Sequence, residues 1–82
     1  MHPLAFLEVY MIRVMVNGAG GKMGREVVKA VHNDPELTLV GGIDPTKAGE
    51  DVGSVAGIEQ VGIKMNASID EVLGTNKPDV IV

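Results

Sequence analysis

A chain of 82 residues with seven basic and eleven acidic side chains, formal net charge -4, makes one small domain at most and offers no basic stripe for nucleic acid or anionic lipid. It has no cysteine, which excludes disulfides, thiolate metal sites and cysteine nucleophiles and suits an ordinary cytoplasmic protein. A chain this short buries only about 60% of its unfolded surface, so its stability margin is narrow.

Residues 1–10, MHPLAFLEVY, are mostly apolar. They lack the basic start, long apolar centre and small-residue cleavage site of a signal peptide, and they are too short to span a membrane. They read as an N-terminal extension, with the domain proper beginning at Met11. Ile12, Val14, Met15 and Val16 then form a short β-compatible run that breaks at Asn17-Gly18, as a buried parallel strand does on reaching a loop.

Glycines follow at 18, 20, 21 and 24. The strict G-x-G-x-x-G fingerprint fails, because its third glycine would fall on Met23; G-x-x-G-x-x-G fits, on Gly18, Gly21 and Gly24. Such glycines let the backbone turn sharply and approach a pyrophosphate, while the N–H groups and positive dipole end of the next helix face the anion. Gly-rich turns also join strands to helices in proteins that bind no nucleotide. The context decides for the functional reading: a strand before, a helix after, and Asp44 at the end of the next strand, about 20 residues past Gly24, where a ribose-binding acid belongs.

The helix is expected from Gly21 to about Asn33, with Met23, Val27, Val28 and Val31 as its apolar stripe and Lys22, Arg25, Glu26 and Lys29 on the polar side. Three valines make it a weak helix without sheet packing. Asn33-Asp34-Pro35 is the stop, through an asparagine that tolerates the left-handed conformation and a residue before proline that avoids the helical one. His32 falls in the last turn, where a cation favours the dipole; with His2 far away, no metal site is expected.

Leu37 to Ile43 is the second strand, parallel to the first through a right-handed crossover. Its Gly41-Gly42 pair marks either close approach of a ligand or packing against the first loop. Pro45 to Gly57 reads as a surface loop without assignable chemistry, and Val61 to Met65 as a third short strand. Ser68 to Glu71 is a capping box opening a short helix that stops at Gly74, which makes Asp70 and Glu71 dipole partners rather than a catalytic pair. Thr75 to Pro78 is a loop, and Asp79 to Val82 begins a fourth, buried strand. That unfinished pattern reads as the front of a longer protein.

Three stretches, Val16-Asn17-Gly18-Ala19-Gly20-Gly21-Lys22-Met23-Gly24-Arg25, Leu39-Val40-Gly41-Gly42-Ile43-Asp44 and Lys77-Pro78-Asp79-Val80-Ile81-Val82, together resemble the N-terminal cofactor domain of the dihydrodipicolinate (4-hydroxy-tetrahydrodipicolinate) reductases of lysine and diaminopimelate biosynthesis. The resemblance covers residues 11–82 and implies an α/β, Rossmann-like parallel sheet of order 3-2-1-4, cut in the fourth strand. It implies a dinucleotide-binding role for Gly18, Ala19, Gly20, Gly21, Lys22, Met23 and Asp44, the loop around the pyrophosphate and the acid on the adenosine ribose. Lys22 reads as a 2′-phosphate contact or as a solvated lysine at the helix start. Many members of the family carry arginine directly after the acid, where this chain has Pro45, so NAD(H) is favoured over NADP(H), with Lys47 a distant substitute for that arginine.

The implied reaction is hydride transfer to a cyclic unsaturated imine. The family's histidine- and lysine-rich catalytic motif and its tetramer-building substrate domain are absent from these residues, so no catalytic residue is expected here and the piece alone is expected to be inactive. Two other readings stay open: the cofactor domain of an aspartate or homoserine type dehydrogenase, and a dinucleotide-binding module without chemistry.

Overall fold

The computed structural model describes residues 11–73 and 78–82. The extension at residues 1–10, the stop at Gly74 and most of the loop from Thr75 lie outside the described residues. Strand β1 (Ile12–Asn17), helix α1 (Lys22–Asn33) and strand β2 (Leu37–Ile43) form the opening β-α-β unit. A 3-10 turn (Pro45–Lys47), α2 (Val52–Ala56), α3 (Ile69–Leu73) and β3 (Val80–Ile81) follow.

The sheet has order β2-β1-β3 and both pairings are parallel. β1 and β2 run in register from Ile12–Leu37 to Val14–Leu39, slip by one residue at Val40, and resume at Met15–Gly41. Because side chains alternate across a strand, Val16 and Met15 face opposite ways. Val16 packs with Ala19, Val28, Val52, Ala56 and Met65, which places α1 and α2 on one face. Met15 packs with Ile43 and Val72, which places α3 on the other. The result is a Rossmann-like α/β arrangement of three parallel strands covered by helices on both faces.

Several local expectations are corrected. Met23 is 80% exposed and does not join the apolar stripe, whose inward positions are Gly24, Val28 and Val31. The helix enters the sheet at a glycine because its first turn lies directly against the loop backbone. The stop after Asn33 uses no left-handed residue: Asp34 is extended, at ψ 121°, before Pro35, and its carboxylate accepts from the Glu36 N–H at 2.9 Å. Pro45 to Gly57 is more than a surface loop, since Val52, Gly53 and Ala56 are buried, with Asp51 capping α2 and Gly57 ending it at φ 85°.

No strand forms over Val61–Met65, where only Lys64 makes an isolated bridge to Asp51 and Asn66 one to Ile43. Two causes are visible. Gly62 takes φ 78°, which breaks the extended backbone, and the N–H groups of Val61, Gly62 and Ile63 donate to the Asp51 carboxylate rather than to a neighbouring strand. β3 pairs with β1, but Val80 and Ile81 are 46% and 37% exposed rather than buried, because no element among the described residues covers them.

Candidate functional site

The C-terminal edge of the parallel sheet brings the predicted residues together. β1 ends at Asn17, and Gly18, at φ 72°, reverses the chain in a conformation that L side chains rarely adopt. The N–H groups of Gly18 and Ala19 both donate to the Ile43 carbonyl, at 2.7 and 3.1 Å, so the loop is pinned to the end of β2. Gly21 N–H donates to the Gly18 carbonyl at 3.0 Å, closing the turn, and Gly21 then caps α1.

Each glycine has its own reason. A Cβ on Gly24 would strike the Gly18 carbonyl oxygen, so this glycine lets the helix lie on the loop. A Cβ on Gly20 would stand 2.5 Å from Asp44 Oδ2 and 2.7 Å from Lys47 Cγ. A Cβ on Gly21 would meet only the Gly18 oxygen, at an ordinary 3.5 Å. The fold therefore needs Gly18, Gly20 and Gly24, whereas Gly21 is bare toward solvent at the helix start.

Helix geometry leaves the N–H groups of Lys22, Met23 and Gly24 without intrahelical acceptors. No side chain caps them, and the first turn carries no acid. Lys22 and Met23 are exposed beside them, while Ala19 is fully buried in the core beneath. An uncapped, acid-free helix start next to an open glycine has the geometry that receives an anion.

Asp44 stands across from this loop, and one hydrogen bond joins residues 24 positions apart: Gly20 N–H donates to Oδ2 at 3.0 Å. Oδ1 accepts from the Thr46 N–H at 3.0 Å and the Thr46 hydroxyl at 2.8 Å. The backbone is held as well, since Asp44 N–H donates to the Asn66 carbonyl and Asn66 N–H to that of Gly42, each at 2.9 Å. These donors, the Thr46 hydroxyl first, together with the nearby Lys47 charge, outweigh desolvation and hold the Asp44 carboxyl below its ordinary value. Asp44 is thus a fixed, ionised acceptor at neutral pH.

Gly41 and Gly42 serve packing rather than a ligand. A Cβ on Gly41 would crowd the Met15 methyl at 2.5 Å, and one on Gly42 would crowd Met65, Ala19 and Val52 at about 3 Å. Two residues that sequence reasoning passed over belong to the site's frame. Thr46 orients Asp44, and Asp-Pro-Thr is legible in retrospect as an Asp-led turn. Asp51 accepts from Ser54, Val61, Gly62 and Ile63 and so ties the stretch before Asn66 to α2.

His32 Nε2 lies 2.7 Å from Glu59 Oε1 at the far end of β2, beside a groove of about 360 Å³ lined partly by Leu37, Leu39 and Val61. None of the predicted site residues lines that groove. Among the described residues no group of His, Asp and Glu side chains could hold a metal ion, and no helix is long and apolar enough to cross a membrane.

Comparison with known proteins points the same way. Residues 12–82 match the family described as dihydrodipicolinate reductase, N-terminus. The chain is 49% identical over 65 residues, 77% of its length and 24% of the relative's, to the 4-hydroxy-tetrahydrodipicolinate reductase of Synechocystis sp.. It is 44% identical over 70 residues, 85% of its length and 26% of the relative's, to the protein of that name from Syntrophomonas wolfei. The chain thus spans about a quarter of the length of the curated relatives it matches.

Proposed function

Because the chain belongs to the dihydrodipicolinate reductase N-terminal family, we propose that it is the NAD(P)H-binding portion of a reductase of lysine and diaminopimelate biosynthesis, one that transfers a hydride to a cyclic unsaturated imine. The observation that carries the reading is the pairing of an uncapped helix start behind bare Gly21 with the fixed carboxylate of Asp44 at the same sheet edge. The distance between the two ends of a dinucleotide's pyrophosphate and ribose is spanned by adjacent strand ends in folds of this kind.

On this reading the first-turn N–H groups at Lys22, Met23 and Gly24 receive the pyrophosphate, with Lys22 adding a neutralising charge. Gly18, Ala19 and Gly20 shape the loop beneath it, and Asp44 accepts from the adenosine ribose. The bound nicotinamide supplies the hydride. This chain's residues bind and orient; the groups that hold the imine and deliver a proton belong to sequence outside these 82 residues, in a homotetrameric, cytoplasmic enzyme. NAD(H) is the favoured partner, since a carboxylate accepts from a free 2′-hydroxyl and repels a phosphate there. The sheet order 3-2-1-4, counted over the four strands expected from the sequence so that β3 here is the fourth, is proposed for the longer protein, with the parallel Ile43–Asn66 bridge as the beginning of its outer pairing.

The test is Gly21→Val. Its branched side chain meets no fold atom closely but fills the space at the helix start. NADH titration should show binding by the parent and none by a variant of unchanged far-UV spectrum and similar Tm. Equal affinity in the folded variant would mean that the loop does not hold the cofactor.

A further inference from the structure

Asn17 ends the central strand β1 directly after Val14, Met15 and Val16, which are buried, and is itself exposed. Asparagine is depleted in strands, and before a glycine it ordinarily starts a turn by taking the N–H two residues on into its side-chain oxygen. That use is closed here, because the N–H groups of Gly18 and Ala19 both donate to the Ile43 carbonyl. The Asn17 backbone is also engaged, its N–H donating to the Val82 carbonyl at 2.9 Å. Its side-chain amide makes no hydrogen bond among the described residues. The fold thus leaves unused a polar group that neither packs in the core nor shapes the turn, and such a local mismatch marks a functional position.

Its place in the sheet says which ligand group it meets. β2 and β3 flank β1 on opposite sides, and in parallel α/β sheets a dinucleotide lies across the crevice where the strand order reverses. With the adenosine ribose at Asp44, at the end of β2, and the pyrophosphate at the start of α1, the second nucleotide runs away from β2 and past the end of β1 toward β3. Asn17 stands at that end, tied to β3 through the Val82 carbonyl, and side-chain alternation turns it to the face of Met15, opposite α1. A side-chain amide donates and accepts in one plane, and the group of the second nucleotide that offers the same planar pair is its carboxamide. We propose that Asn17 is a further cofactor-binding residue, whose side-chain amide pairs with the carboxamide of the nicotinamide and so holds the reactive half of the dinucleotide toward β3. This rests on the cofactor reading above and adds to it a contact to the half that carries the hydride.

ADP-ribose shares every group of the cofactor except the nicotinamide, so it separates this contact from the rest of the site. Titration of NADH and ADP-ribose into the 82-residue chain and into Asn17→Ala should show NADH affinity falling roughly five- to tenfold in the variant, the scale of one or two neutral hydrogen bonds, with ADP-ribose affinity kept within about twofold. Unchanged far-UV spectrum and Tm are expected for a substitution at an exposed position. Asn17→Asp supplies a second readout at low salt: the oxidised ring is cationic, so a carboxylate beside it should raise the affinity for NAD+ relative to NADH, and added salt should erase the gain. If Asn17→Ala weakens NADH and ADP-ribose equally, or neither, or if Asn17→Asp leaves the NAD+ to NADH ratio unchanged, Asn17 does not hold the nicotinamide while the cofactor reading stands. If the parent chain binds neither NADH nor ADP-ribose, the cofactor reading falls and the assignment of Asn17 falls with it.

Discussion

At the scale of single residues, the glycines of the first loop divide by what a methyl group would touch. Gly24→Ala offers a helix-propensity gain of up to about 1 kcal/mol. Against it stands overlap of the new Cβ with the Gly18 carbonyl, which is backbone in a turn pinned to Ile43 and cannot swing aside. Overpacking of this kind costs about 1–3 kcal/mol, so the steric effect wins and a net loss of about 1–2 kcal/mol is expected in urea unfolding. Stability equal to or above the parent's would show that the helix can draw back from the loop. Gly21 differs in every respect that matters to the fold, because the space beside it is open. Sequence spacing marks Gly18, Gly21 and Gly24 alike; only the surrounding atoms separate turn, ligand face and helix contact.

At the scale of elements, the Asp51 side chain adds to an isolated backbone bridge, Asp51 to Lys64, in holding together two segments that share no regular strand pairing. Its carboxylate caps α2 through Ser54 and gathers three consecutive N–H groups from residues 61–63. Desolvation raises its pKa, but the backbone donors of Ser54, Val61, Gly62 and Ile63 outweigh that and leave it below 3.8. A depressed carboxyl binds fewer protons folded than unfolded, so its stabilisation is complete above the unfolded value near 3.8 and is lost as pH falls through the lower, folded value. Thermal melts from pH 7 to pH 3 should therefore show a plateau above about pH 5 and a decline below about pH 4. Asp51→Ala should lower the Tm at pH 7 by several degrees, more than Ser54→Ala does, and should flatten the acid decline. An acid limb as steep as the parent's would remove Asp51 from its causes.

At the scale of the whole chain, the β-α-β unit begins at Ile12, whose N–H already pairs with the Glu36 carbonyl at 3.0 Å, and both halves of the candidate site lie at the opposite, C-terminal edge of the sheet. Deleting residues 1–10 should leave NADH affinity within about twofold of the parent's, because nothing in their sequence fits the binding pattern; a large loss in a folded truncation would bring those residues into the site. The first strand, the helix, the second strand, the glycine loop and Asp44 were all legible in the sequence, because a strand-helix-strand crossover is dictated by local apolar periodicity and by turn residues that act over a few positions. Met23 pointing to solvent, α2 inside an expected loop, and a third strand replaced by N–H groups gathered on Asp51 were not legible, because each depends on partners distant in sequence. The same holds for the proposed site. Residue type and spacing nominate Asp44 and the loop and mark Lys47 as a distant basic residue, whereas the place of its stem over the bare Cα of Gly20, beside the carboxylate, is set by the tight turn. Short-range sterics and periodicity are written residue by residue, whereas the neighbour that takes a hydrogen bond or lends a charge is chosen by packing.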